Sequence, residues 1–148
     1  MINFLFKKIT PVLLPGIILL ATSCSTIGKY DQYAYTQTTS IKVDALNIMN
    51  LATDKYDNHL NDVNNVQSSI TKMIEYKKNL PKNTISEKMW VLINDPNGGL
   101  FGGFVQRWQK NGTLDTTFIK EAQKLVGQSF DELSQLESGK IKPDQLNN

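Results

Sequence analysis

Apolar and bulky side chains return with a helical rhythm along the middle of this chain. Ile41, Ala45, Ile48, Ala52, Tyr56, Leu60, Val63, Val66, Ile70, Met73 and Lys77 follow one another at a mean step of about 3.6 residues, the α-helical period. The phase runs on through Asp54-Lys55-Tyr56-Asp57. The pattern therefore predicts one long helix over about 37–79, or two near-collinear helices. Thr53, Asp54 and Asn58 are weak helix formers and place a bend near 54–57. Leu80-Pro81 ends the pattern, because proline pushes the residue before it out of the helical region.

Thr84 with Glu87 three residues on predicts a capping box. A short helix over about 85–93 follows, offering Met89, Trp90, Leu92 and Ile93 to a core. Asn94-Asp95-Pro96-Asn97-Gly98-Gly99 is concentrated turn chemistry and stops it. A second short helix is predicted over about 100–110, ended by Asn111-Gly112. Asp115 reads as the N-cap of a last, long helix over 115–138. Phe118, Ala122, Leu125, Val126, Ser129, Phe130, Leu133 and Leu136 share one of its faces. No β-branched alternation reaches strand length after the first 24 residues, and no solenoid period recurs. The expected fold is an all-α small helical bundle, with two long helices packed antiparallel and two short ones between them.

The opening of the chain follows different rules. Met1 to Lys8 carries two lysines and no acid, and Ile9 to Ala21 is apolar apart from Thr10, with Pro11, Pro15 and Gly16 interrupting it. Small residues Ala21, Thr22 and Ser23 come before Cys24. A basic head, a short apolar run and small residues describe an export signal. The apolar run falls short of the roughly 20 residues a membrane-spanning helix needs. Cys24 is the only cysteine, so no disulfide can form within the chain. A leftover exported thiol calls for a use.

Leu19-Leu20-Ala21-Thr22-Ser23-Cys24 resembles the lipobox of bacterial lipoprotein signal peptides. The resemblance implies a diacylglycerol on the Cys24 thiol, cleavage before it and an acylated new amine. Ala21 stands where that motif prefers leucine, with Leu20 one position earlier. Ala21-x-Ser23 also suits an ordinary signal peptidase, which would cut the same bond and leave a free thiol. Ser25 carries no acid, and by the same resemblance this implies the outer membrane. The remainder, from Tyr30-Asp31 through Trp90 to Phe104 and Trp108, resembles small envelope lipoproteins of bacteria, a likeness that implies no activity.

The expected organisation is a removed signal peptide over 1–23, a tether over 24–35, a helical domain over 36–140 and a polar tail over 141–148. Tyr30, Tyr33 and Tyr35 in the tether would sit at a lipid interface or pack on the domain. Loss of Lys7 and Lys8 takes the 16 basic residues to 14, matching the 14 acidic ones. No basic surplus is left to bind nucleic acid.

Few residues invite chemistry. His59 is the only histidine, with Asp62 three positions on, and a metal site or a triad would need more. Asp95-Pro96-Asn97-Gly98 lacks the later acid of a calcium loop, since Gln106 stands at the twelfth position. The glycines 98, 99, 102 and 103 lack the Gly-Lys-Ser/Thr of a phosphate loop. No metal ligand set, catalytic residue or cofactor motif is legible. The stretch Gly98 to Trp108 is the expected partner contact, through Phe101, Phe104, Arg107 and Trp108, residue types enriched at binding hot spots. The opposing reading makes those aromatics core and the glycines a means of close packing. The sequence thus points to a membrane-anchored envelope lipoprotein, a non-enzymatic helical binding or structural module. Its partners are the membrane, through acyl chains on Cys24, and another envelope protein. The alternative is an enzyme inhibitor, or an enzyme whose site the sequence does not display.

Overall fold

The computed structural model of the chain describes residues 30–146. The expected signal peptide over 1–23, Cys24 and the chain up to residue 29 lie outside the described residues, as do residues 147–148. Among the described residues there are five α-helices and no strand: α1 (Gln32–Asn50), α2 (Leu60–Lys78), α3 (Thr84–Asn94), α4 (Phe101–Asn111) and α5 (Thr116–Glu137). The protein is an all-α bundle, as the periodicity implies.

The first long helix is divided. Two 3-10 turns, Leu51–Thr53 and Tyr56–His59, separate α1 from α2 at the expected bend. The two arms are not collinear. Tyr76, near the end of α2, donates its hydroxyl to Asp31 at the start of α1 over 2.8 Å, so the arms lie side by side and antiparallel. The turn is pinned by distant backbone. Tyr56 N–H donates to Gly112 C=O at 2.9 Å, and Leu114 N–H donates to Ala52 C=O at 2.7 Å. Those partners come from a loop more than fifty residues away, which a helical period cannot register.

Lys42 of α1 meets Asp131 of α5, and the Gln123 amide donates to Leu46 C=O and Asn50 Oδ1 at 3.0 and 2.9 Å. These pairs run in opposite directions along the two helices, so α5 lies antiparallel to α1. Trp90 of α3 meets Phe130 of α5 edge to face at 5.8 Å. The helices α1, α2, α3 and α5 thus form an up-down-up-down ring, and α4 closes one end. We call the end holding Tyr30, the α2–α3 loop and the end of α5 proximal, and the end closed by α4 distal.

The stripe read from the sequence is the core. Of its eleven members only Leu60 is exposed. On α5, Ala122, Val126, Phe130, Leu133 and Leu136 are buried as expected, and Ile119 joins them. Leu125 departs from the expectation at 54% exposed, because Val126 beside it takes the inward position. On α3, Trp90 and Ile93 are buried while Leu92 faces solvent.

Three local expectations are corrected. The domain begins at Gln32 rather than 36, because Asp31 caps α1 by accepting Ala34 N–H at 3.0 Å. The last residues of the expected tether are therefore helical. The capping box at Thr84 does not form. Asn83 is the N-cap of α3 without a side-chain cap bond, since its amide donates to Pro81 C=O and its oxygen accepts from Lys77. Beyond α5 the polar tail forms a 3-10 turn at Pro143–Gln145, and Leu146 is half-buried in a groove beside Met89, Leu92 and Ile93. Asp115 caps α5 as read, accepting Thr117 and Phe118 N–H at 2.8 and 3.2 Å.

Candidate functional site

The glycine–aromatic stretch resolves into core and a thin strip of surface. Phe101, Phe104 and Trp108 are buried, so three of the four expected contact residues cannot meet a partner. Arg107 alone is exposed. Trp108 donates its indole N–H to Asp54 C=O at 3.0 Å and meets Tyr56 edge to face at 5.5 Å, so it holds the α1–α2 turn. The glycines explain how α4 comes so close. A Cβ on Gly102 would stand 2.3 Å from Asn94 C=O, and one on Gly103 would stand 1.8 Å from Gly98 C=O. Only glycine lets the first turn of α4 lie on the end of α3 and the turn after it. That turn is closed by Asp95, which accepts Asn97 N–H on its carboxylate and Gly98 N–H on its carbonyl.

Arg107 lies with its guanidinium carbon 4.2 Å from the centre of the Phe118 ring, and Phe118 stacks on Phe104 at 6.0 Å. The guanidinium thus rests over an aromatic face. It borders two shallow clefts, one with Asn97, Gln106 and Lys110 and one with Phe118, Glu121 and Leu125.

His59 belongs to the same distal wall. Its ring lies 3.0 Å through Nε2 from the Asp54 carboxylate and 5.7 Å from the Trp108 ring. The expected neighbour Asp62 is not its partner. Asp54 is held below the usual carboxylate range by bonds from the Asn58 amide, the Lys55 N–H and His59. These bonds brace the turn. Among the described residues no three His, Cys, Asp or Glu side chains gather closely enough to hold a metal ion.

The proximal end holds an arrangement that motif reading passes over. Lys77 is 1% exposed and donates to Glu137 Oε2 at 2.5 Å and to Asn83 Oδ1 at 3.3 Å, with Asp31 Oδ2 at 3.6 Å. Burial pushes the Glu137 carboxyl above the usual glutamate value, against the pull of Lys77. Burial also acts to raise Asp31, but the Ala34 N–H, the Tyr76 hydroxyl and Lys77 together hold it below its ordinary value. Burial and the bond to Asp31 drive the Tyr76 hydroxyl up to about 12. The buried Ser86 hydroxyl also acts on the Glu137 carboxyl, drawing its value down, while Ser134 Oγ has no partner among the described residues. Charges removed from water in this way are stable only while each faces its counter-charge.

A signal for this cluster existed. Lys77 sits in phase four residues after Met73, and Glu137 sits four after Leu133, each as the last step of an apolar stripe. A charge at a core position asks for an opposite charge at another. Which two would meet depends on the fold.

Comparison with protein-family models, curated proteins and solved structures finds no match to this chain. No helix among the described residues is long and apolar enough to cross a membrane.

Proposed function

We propose that this chain is an exported lipoprotein, held at the outer membrane by acyl chains on Cys24, whose helical bundle serves as a non-enzymatic binding or structural module of the envelope. The observation that carries the proposal is the order of residues at the start: Lys7-Lys8, the apolar run, Leu19-Leu20-Ala21-Thr22-Ser23 and then the only cysteine. Acylation gives that thiol a use and attaches the bundle to a membrane. Two acyl signals on one cysteine make a lasting anchor, whereas one chain binds only marginally.

In this reading the polar side chains at the two ends serve structure. His59 braces the distal turn, and Lys77 and Glu137 are committed to each other inside the proximal end. Arg107 and the clefts beside it offer a cation on the distal surface, where another envelope component could bind.

Metabolic labelling with a fatty-acid analogue tests the anchor. The wild-type protein is expected to take up label and the Cys24→Ser variant to take up none. Equal labelling of the two would refute it. Separation of inner from outer membranes then tests the assignment drawn from Ser25.

A further inference from the structure

Three tyrosines stand on the surface at the proximal end, where the chain arrives from Cys24. Tyr30, Tyr33 and Tyr35 are 58%, 54% and 39% exposed. They are not loose: Tyr33 packs on the Tyr76 ring at 5.0 Å and Tyr30 lies 6.5 Å from Tyr35. At the distal end the rings of Tyr56, Phe101, Phe104 and Trp108 are all buried. A tyrosine has an apolar body and a polar tip, the combination favoured at the boundary between water and lipid.

The same end has an excess of exposed positive charge. Lys78 ends α2, Lys82 lies in the α2–α3 loop, Lys88 is on α3, and Lys140 and Lys142 follow α5, and all five are exposed. The exposed acids there are Glu75, which pairs with Lys78 at 3.7 Å, and Asp144, and Glu87 is half-buried. Asp31 and Glu137 both face buried Lys77, one cation against two carboxyls, so together they offset the surface lysines by no more than one charge.

Chain length supplies the third constraint. Six residue steps separate Cys24 from Tyr30, a reach of about 20 Å when fully extended. The bundle itself is longer, since the 19 residues of α1 span about 28 Å.

We propose that the proximal end docks on an anionic bilayer surface, with the three tyrosines at headgroup level and the lysines against lipid phosphates. The α4 end, with Arg107, then points away from the membrane that holds the anchor. This docking rests on acylation of Cys24.

The lone cysteine makes the test clean. Acylation leaves the wild-type protein without a free thiol, so an introduced cysteine is the only handle. Full-length Gln32→Cys and Asp57→Cys variants, matured in cells and isolated with their acyl chains, each receive a thiol-reactive fluorophore. They are reconstituted into vesicles of phosphatidylcholine with phosphatidylglycerol. The label at position 32 is expected to be quenched several-fold more by a nitroxide on the lipid headgroup than the label at position 57, and to be shielded from aqueous iodide. Replacing Tyr30, Tyr33 and Tyr35 together by serine, in a variant with an unchanged helical spectrum, is expected to remove the difference. Omitting phosphatidylglycerol or raising salt is expected to reduce it. Equal iodide quenching at the two positions, in a protein whose wild type takes up no fluorophore, overturns the docking while the anchor stands. A wild type that does take up fluorophore overturns the anchor and the docking with it. A difference that survives the serine replacements overturns the role given to the tyrosines. One that is the same in phosphatidylcholine alone overturns that of the lysines.

Discussion

Trp108 and Gly103 show how much rests on single side chains at the distal end. Trp108 is fully buried, fills the space under α4 and bonds to the Asp54 carbonyl. Trp108→Ala is expected to cost about 3–5 kcal/mol in denaturant unfolding, the usual loss for a buried aromatic. Gly103→Ala fails for the opposite reason. Its Cβ would collide with the Gly98 carbonyl, so backbone must move, and a loss of about 1–3 kcal/mol is expected. At the proximal end Lys77→Met leaves Glu137 buried and unpaired, which is expected to cost about 3–5 kcal/mol. Lys77→Met combined with Glu137→Leu removes both charges and is expected to recover most of that loss. A double variant as unstable as the single one would show that the cost came from packing and not from the orphaned carboxylate.

At the scale of elements, the start of α1 and the end of α2 are joined by one phenol. Tyr76 donates to Asp31, which also caps α1. The Tyr76 hydroxyl is raised to about 12 from an ordinary value of 10. The folded state then holds a proton that the unfolded chain has lost, so this contribution is complete below pH 10 and disappears as pH rises to about 12. Asp31 has the opposite sign. Its value is lowered, so its contribution is present above the ordinary 3.8 and is lost as pH falls below it. Glu137 is raised from 4.5, so stability from this carboxyl is greatest when it is protonated and declines as pH rises through its folded value. Unfolding free energy measured against pH is expected to fall on the alkaline side in the wild type. In Tyr76→Phe the fall between pH 10 and 12 is expected to be shallower. An identical alkaline limb in the two proteins would rule out Tyr76 as its source.

The whole molecule closes its core from both ends. The apolar stripes of α1, α2, α3 and α5 form one continuous cluster with Phe101, Phe104 and Trp108 of α4. A domain with one such core unfolds as a unit. The two tryptophans allow a check, because Trp90 packs on Phe130 between α3 and α5 while Trp108 lies beneath α4. In each of the variants Trp90→Phe and Trp108→Phe, the remaining tryptophan and the far-ultraviolet helical signal are expected to give one midpoint. A separate, earlier transition seen by Trp108 would make the distal end an independent unit.

Sequence alone determined the helical class and most of the inward positions, because burial must repeat at the helical period wherever one face is covered. The stripe from Ile41 to Met73, the N-cap at Asp115 and the stop at Asn111-Gly112 are all local in origin, and they hold apart from exposed Leu60. Tertiary structure decided the rest. The turn at 51–59 folds back because Gly112, Leu114 and Trp108 bond to it, and the stripe keeps its phase on either side of that fold. The capping box read at Thr84 is lost because α3 starts from Asn83, whose side chain bonds to Lys77 and Pro81 instead of capping the helix. Phe101, Phe104 and Trp108 have the composition of a contact surface, and only the ring of neighbouring helices makes them core. Periodicity reports that a face is covered; what covers it is set by residues far apart in the chain. For that reason Lys77 was visible as the end of a stripe, and Glu137 became its partner only when α5 came down beside α2.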